Sequence, residues 1–197
     1  MQKRTRKSRQ TLKKTAEECA AFIQAPKHRI MFFDEGRFGL KPTLGKTWAK
    51  RGSEAPRVSV LPGYRNFYLY SAVDPFSGEH FTLLLPWVNT DMMNFYLHSL
   101  SEHFPDEQVW VILDCAGWHL SKELTIPPLI RLIYLPPYSP ELNPVERLWR
   151  WLRRSVCRNK LFDSLDSMEL ALCNTIHSLL SPFLLSLCHC GYLHNYK

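Results

Sequence analysis

The stretch LPPYSPELNPVERLWRWLRR, residues 135–154, sets the frame in which the rest of the chain is read. Its prolines end any strand that precedes them, and Asn143-Pro144-Val145-Glu146 then starts a helix. Asn is a good N-cap, Pro suits the first helical position, and Glu at the third can close a capping box. Val145, Leu148, Trp149, Leu152 and Val156 recur at helical spacing as a buried stripe, with Glu146, Arg150 and Arg153 on its flank. Glu146 therefore has two readings: a structural cap, or an acid held beside cations at the edge of a buried face. Two other acids bear on the choice. Asp34 follows the apolar run Ile30-Met31-Phe32-Phe33 and Asp114 follows Val109-Trp110-Val111-Ile112-Leu113, which predicts that each sits at the C-terminal end of a buried strand. A lone Asp after a strand is commonly a turn former. Two of them, together with an acid at a helix start, can share a divalent cation.

Outward from these points the pattern is α/β. Residues 67–73 and 80–85 alternate as strands around the turn Asp74-Pro75-Phe76-Ser77-Gly78, giving a hairpin beside the first strand. Asn89 caps a helix whose Met92, Phe95, Tyr96, Leu100 and Phe104 are expected to face inward. Residues 131–135 form a further strand. A last helix from Ser164 turns Leu165, Met168, Leu172, Ile176 and Leu179 toward the core. Strands first antiparallel and then joined by helical crossovers predict a mixed sheet with helices on its faces. The expected organisation is a basic arm over residues 1–28, one compact domain over 29–180 and an apolar tail over 181–197.

Charge is unevenly placed. Seven of the 25 Lys and Arg residues precede the first acid, leaving 18 against 18 Asp and Glu in the remainder. A neutral body with a basic arm reads equally as a chain with a polyanionic partner and as one with a solvated leader. Six cysteines show no CxxC pair and no framework of the kind that staples secreted domains. With no signal-peptide pattern and no apolar run of membrane-spanning length, a cytoplasmic protein is expected. Cys188-His189-Cys190 with His194 lacks the spacing of common zinc modules.

Three carboxylates on rigid elements suit hard cations, Mg²⁺ or Mn²⁺, and hence phosphoryl-transfer chemistry. The segment from Arg147 to Lys160 carries Arg147, Arg150, Arg153, Arg154, Arg158 and Lys160 without an acid, which suits phosphate contact. Arg37, Lys50 and Arg51, with Trp48 as an aromatic anchor, form a second candidate phosphate-contacting group; solvated loop cations are the plainer account. His119 stands five residues after Asp114, where it can orient a carboxylate, contact DNA or simply fill a structural role beside Trp118.

MFFDEGRFGL, GKTWAKRGS, VILDCAGWH and LPPYSPELNPVERLW, in this order, resemble the catalytic domain of bacterial insertion-sequence transposases of the mariner superfamily, the DDE endonucleases. The resemblance covers about residues 29–180. It implies an RNase H-like five-stranded sheet and places the acidic triad on Asp34, Asp114 and Glu146, with 31 residues between the last two. Cys115 stands where such proteins usually have Gly or Asn after the second Asp. The implied activity is metal-dependent cleavage of double-stranded DNA and transfer of the released 3′-hydroxyl to a target, TA in the resembled family, with a homodimer on DNA. Full-length relatives carry helix-turn-helix domains before the catalytic domain, whereas about 28 residues stand here. The expectation is therefore a truncated copy, or the second half of a transposase whose helix-turn-helix part is a separate polypeptide. The alternatives are a non-catalytic DNA-binding remnant and an RNase H-like nuclease without strand transfer.

Overall fold

Strand β1 (His28–Gly39) is the axis of the molecule, and its two edges are used differently. In this computed structural model, which describes residues 19, 22, 26–41, 50–52 and 65–194, one edge of β1 pairs antiparallel with β2 (Asn66–Val73) from Phe32↔Val73 to Gly39↔Asn66. The other edge pairs parallel with β4 (Gln108–Leu113), but only from His28↔Gln108 to Phe32↔Ile112. β3 (His80–Leu85) extends the hairpin and β5 (Ile130–Tyr134) lies parallel to β4, so the five strands run β3-β2-β1-β4-β5. The mixed sheet is the one the sequence predicts. The basic arm through residue 18 and Trp48 lie outside the described residues. Within the arm Cys19 and Phe22 are helical and buried, with Phe22 stacked on Trp110 at 3.8 Å.

The period-2 alternation of β1 divides the protein into two cores. Met31 and Phe33 face α1 (Thr90–His103), where they join Tyr70, Tyr96, Leu97 and Leu100. Ile30, Phe32 and Phe38 face the opposite side and pack with α2 (Val145–Leu152) and α3 (Leu165–His177). Helices therefore cover both faces. The residues 181–194, set apart above as an apolar tail, form α4 (Ser181–Leu187) and α5 (Gly191–His194), and Leu184, Cys188 and Cys190 enter the same core as α2.

Asn89 caps α1 as expected, accepting from the Met92 amide at 2.8 Å. The inward stripe is rotated from the expected one: Met93, Tyr96, Leu97 and Leu100 are buried while Phe95 is exposed. The helix is turned so that Asn94 can pair with the 123–125 loop, accepting from Thr125 N at 2.7 Å and donating to the Glu123 carbonyl at 3.1 Å. α3 turns Leu165, Met168, Leu172 and Ile176 inward from a Ser164–Ser167 capping box. No single helix among the described residues is long and apolar enough to cross a membrane.

Candidate active site

β1 does not end at Asp34. The strand runs five residues further, to Gly39, because its outer half keeps β2 as a partner after β4 has stopped. Residues 35–39, beyond the strand end expected at Asp34, are strand. Asp34 therefore sits where β1 parts from β4, while Asp114 directly follows the last residue of β4 as predicted. The parallel ladder ends at Phe32↔Ile112, two residues before each aspartate, and both aspartates line one cavity.

Alternation then sends Asp34 and Glu35 to opposite faces. On the α2 face, Asp34 Oδ2 accepts from the indole N–H of fully buried Trp149 at 2.9 Å. Trp149 can lie this close to the strand because residue 36 is glycine: a Cβ there would stand 2.8 Å from the indole ring. On the α1 face, Glu35 Oε1 receives Trp118 Nε1 at 3.0 Å and His119 Nε2 at 2.9 Å. The other ring nitrogen of His119 meets Asp114 Oδ1 at 3.0 Å, forming a chain Glu35–His119–Asp114. The Tyr134 hydroxyl donates to the His119 carbonyl at 2.8 Å and fixes the segment that carries the ring.

The electrostatics follow this wiring. Burial alone would lower the pKa of His119, but its bonds to Asp114 and Glu35 and their negative charges outweigh it and bring it to about 9. At neutral pH it is thus an imidazolium donating from both nitrogens. Asp114, whose side chain is 63% exposed, is held below the usual carboxylate range by the His119 bond, against partial burial and with help from the Ala116 amide. Asp34 is pushed the other way, to about 8, by burial first and then by the charges of Glu35 and Glu146. The bonds from Trp149 and the Glu35 amide only partly offset this.

Glu146 is not a capping-box partner. Asn143 starts the helix with its own side chain, accepting from Val145 N at 3.1 Å and donating to the Phe33 carbonyl at 2.8 Å. The latter bond ties the helix start to β1 one residue before Asp34. Among the described residues no hydrogen bond is made to the Glu146 carboxylate, which lines a cavity of about 540 Å³ together with Asp34 and Asp114. Among the described residues no three His, Cys, Asp or Glu groups stand close enough together to hold a metal ion by themselves. Burial first, and then the charges of Glu35 and Glu146, raise the Asp34 pKa; carboxylates lining one open cavity suit a hard cation that keeps part of its water shell.

The cations divide. Arg147 and Arg150 line a second groove of about 600 Å³ that shares Pro140, Asn143 and Glu146 with the carboxylate cavity. Arg147 also donates to the His189 carbonyl at 2.6 Å. Arg153 packs its guanidinium over the Phe38 ring and reaches the Arg37 carbonyl at 3.4 Å, so it has a packing role on β1. Arg37, Arg150, Arg154, Lys50 and Arg51 are exposed; of these Arg150 lines the groove, and the other four line neither it nor the carboxylate cavity. Cys188 and Cys190 are buried with thiol pKa values raised to about 12 and about 11, burial being the main cause.

Glu35, Asn143 and Trp149 are the site residues whose contacts sequence reading missed. Glu35 could have been found by extending β1, since a strand that continues past Asp34 must send the next residue to the other face. Trp149 was read only as core because helical periodicity reports burial and is blind to where an indole N–H points.

Sheet order and cleft together define an RNase H-like catalytic domain. The chain belongs to the DDE superfamily endonucleases, the family whose model matches residues 29–169. It is 31% identical over 152 residues to an IS630 insertion-element 39 kDa protein of Shigella sonnei, covering 74% of this chain and 42% of that protein. It is 37% identical over 107 residues to the y4pE/y4sA protein of Sinorhizobium fredii (strain NBRC 101917 / NGR234), covering 54% of this chain and 79% of that one. Among solved structures, the mariner Mos1 paired end complex with Mg matches 99% of this chain and 62% of the Mos1 chain, with a TM-score of 0.69 and 21% identity. The same complex with Mn matches at 0.68 and 20%, again over 99% and 62%. The chain thus spans less than half of the Shigella protein and about three fifths of Mos1.

Proposed function

We propose that this domain cuts a DNA phosphodiester with the help of divalent cations and transfers the strand end to a target, as the catalytic part of an insertion-sequence transposase. The observation that carries this reading is the meeting of Asp34, Asp114 and Glu146 in one cavity that shares Pro140, Asn143 and Glu146 with the groove of Arg147 and Arg150. Asp34 and Asp114 would hold the cations and Glu146 would complete the set. Bound Mg²⁺, or Mn²⁺ in its place, supplies activation of the attacking oxygen and neutralisation of charge on the phosphate.

The protein's own contribution is positioning. His119, charged and anchored by Glu35, fixes the orientation of the exposed Asp114 carboxylate; Trp149 does the same for Asp34. Asn143 fixes the start of α2 on β1, and so the placing of Glu146. Arg147 and Arg150, both on the adjoining groove, meet phosphates to one side of the one to be cut, with Arg37, Arg153, Arg154, Lys50 and Arg51 as further candidates for duplex contact. The natural partners are transposon-end and target DNA, a second copy of the chain on DNA, and a helix-turn-helix polypeptide supplying end recognition.

Nicking of supercoiled plasmid in Mg²⁺ or Mn²⁺ tests the reading, with Asp114→Asn as the comparison. The amide keeps the carboxylate's shape and removes the charge a hard cation requires. Expected are loss of nicking in Asp114→Asn, with the fold retained and the melting temperature lowered because His119 loses one of its two charged partners, and joined DNA products from the wild type. Equal nicking by both proteins would overturn the site. Cuts without joined products would leave an RNase H-like nuclease, and salt-dependent binding without cuts a DNA-binding remnant.

A further inference from the structure

The turn between β5 and α2, Pro136-Pro137-Tyr138-Ser139-Pro140, holds Tyr138 in a posture the protein's own packing does not require. The side chain is 97% exposed, the highest value among the large exposed apolar and aromatic residues described. Its backbone lies in the left-handed region at φ 57°, which a bulky L residue adopts only under constraint. The constraint is visible: prolines stand at 136, 137 and 140, Ser139 Oγ donates back to the Pro137 carbonyl at 3.4 Å, and a 3-10 turn begins at Pro140. Among the described residues the Tyr138 hydroxyl makes no hydrogen bond and its ring meets no other ring. A stiff turn thus presents a bare aromatic face on the rim of the cavity that Asp34, Asp114 and Glu146 line.

The surroundings identify what would cover it. Beyond the wall shared by Pro140, Asn143 and Glu146 lies the groove of Arg147 and Arg150. A single DNA strand laid through both spaces puts phosphates on the arginines, one phosphate at the carboxylates and a base at the rim. Aromatic faces beside cationic grooves are how proteins hold unpaired bases without reading their sequence, since every base has a π-face. Inside base-paired DNA both faces of each base are covered by its neighbours in the stack, so an interior paired base offers no such face.

We propose that Tyr138 is the stacking platform for an unpaired nucleobase adjoining the phosphate held at the three carboxylates. The site therefore favours DNA whose ends are frayed or whose target bases are unstacked. This rests on the DNA-cleaving reading above and deepens it by naming the form of substrate.

The test is a forked duplex carrying 2-aminopurine as its first unpaired base, bound in Ca²⁺ in place of Mg²⁺ so that a hard cation joins the phosphate to the carboxylates while cleavage does not intervene, with a fully paired duplex of the same length beside it. Wild type and Tyr138→Phe should quench the probe and bind the fork more tightly than the paired duplex. Tyr138→Ala should lose the quenching and roughly ten- to a hundredfold of fork affinity, while its affinity for paired duplex and its melting temperature stay within twofold and 1–2 °C of wild type, roughly, as expected for an exposed surface position. A Tyr138→Ala protein that quenches and binds the fork like wild type overturns the stacking role. If wild type nicks plasmid in Mg²⁺ but shows this result, cleavage stands and the platform falls. If Tyr138-dependent quenching is found in a protein that neither cuts nor joins DNA, the platform stands and the cleavage reading falls.

Discussion

Trp149→Phe separates the packing role of the indole from its hold on Asp34. The ring lies in the groove left by Gly36 and makes an edge contact with Phe38, and its N–H reaches Asp34 Oδ2 at 2.9 Å. Phenylalanine keeps an aromatic ring in that groove, so the loss of packing is that of a partial large-to-small change, about 1–2 kcal/mol. The lost hydrogen bond adds about 0.5–1.5 kcal/mol where the carboxyl is neutral, and more where it is ionised. The sum, roughly 2–3 kcal/mol, corresponds to a fall in Tm of about 5–10 °C for a domain of this size. The larger effect is expected on the cation. The N–H is one of the two groups lowering the pKa of Asp34, so its removal leaves less ionised carboxylate at neutral pH and a less fixed oxygen. Groups that orient a metal ligand are typically worth about tenfold or more in affinity or activity. Mn²⁺ titration followed by electron paramagnetic resonance reads the affinity directly. Leu172→Ala, in the same core but far along α3 and fully buried, supplies a variant destabilised by a similar or larger amount. The reasoning fails if Trp149→Phe binds Mn²⁺ as tightly as wild type, or if Leu172→Ala weakens Mn²⁺ binding equally.

Metal-free protein should lose stability as pH rises: between their unfolded and folded pKa values Asp34 (ordinarily 3.8, here about 8) and His119 (ordinarily 6.5, here about 9) bind protons in the folded state that the unfolded chain has released. The stability is full below the unfolded values and is lost through the folded ones, so Tm in EDTA falls most steeply from about pH 6.5 to 8 and the slope flattens in saturating Mg²⁺; a Tm that rises over this window would contradict the charge states assigned. Glu146→Gln should leave the metal-free Tm within about 2 °C of wild type, because removing a like charge beside Asp34 relieves repulsion, yet abolish plasmid nicking and shrink the Mg²⁺-induced rise in Tm; near wild-type nicking would remove Glu146 from the cation set. Binding to paired duplex by this chain should be insensitive to sequence and weaken steeply with salt, the logarithmic slope dropping by about one for each of Arg147→Ala and Arg150→Ala that loses a phosphate contact, as fluorescence anisotropy would measure.

Much of the fold is legible in the sequence because its strands alternate between two real cores. The hairpin of β2 and β3, the Asn89 cap and the Asn143 helix start each follow from residues acting on their immediate neighbours. The misreadings are of a different kind. A local reading ends β1 at Asp34, because a charged pair, Asp-Glu, and then glycine interrupt the apolar run, and such interruptions usually mark a turn. Here the polar residues are inside a strand because β2 still pairs with it, and a cross-strand partner some 35 residues away leaves no mark in a local window. The inward face of α1 is displaced for a similar reason: Asn94 answers to a loop 29 to 31 residues downstream. The three carboxylates that share the cavity are legible from their positions after strands and at a helix start. The groups that hold them, Glu35 and Trp149, were not, since each acts across more than eighty residues of sequence.

The extension of β1 also explains how one strand serves two ends of the site. Had it stopped at Asp34, Glu35 would lie in a loop and His119 would lack its second carboxylate; with Asp114 alone, the imidazole would be a half-paired charge at 1% exposure, which burial strongly disfavours. Continuation to Gly39 instead makes Glu35 a fixed strand residue on the α1 face and Gly36 a fixed vacancy on the α2 face, where Trp149 enters. Asp34 and Asp114 are thereby oriented from opposite sides of the same sheet, one by a neutral indole and one by a charged imidazole. The different supports leave them with opposite pKa displacements, one carboxyl raised and one lowered. Gly36→Ala probes the shared strand, because its Cβ would press on the indole at 2.8 Å and on Phe38 at 2.9 Å. Overpacking of this kind costs about 1–3 kcal/mol, and the displaced indole should weaken Mn²⁺ binding as Trp149→Phe does. The double variant should then add little to either single one, since both act through the same bond to Asp34; fully additive losses in Mn²⁺ affinity would show that Gly36 and Trp149 reach the site by separate routes.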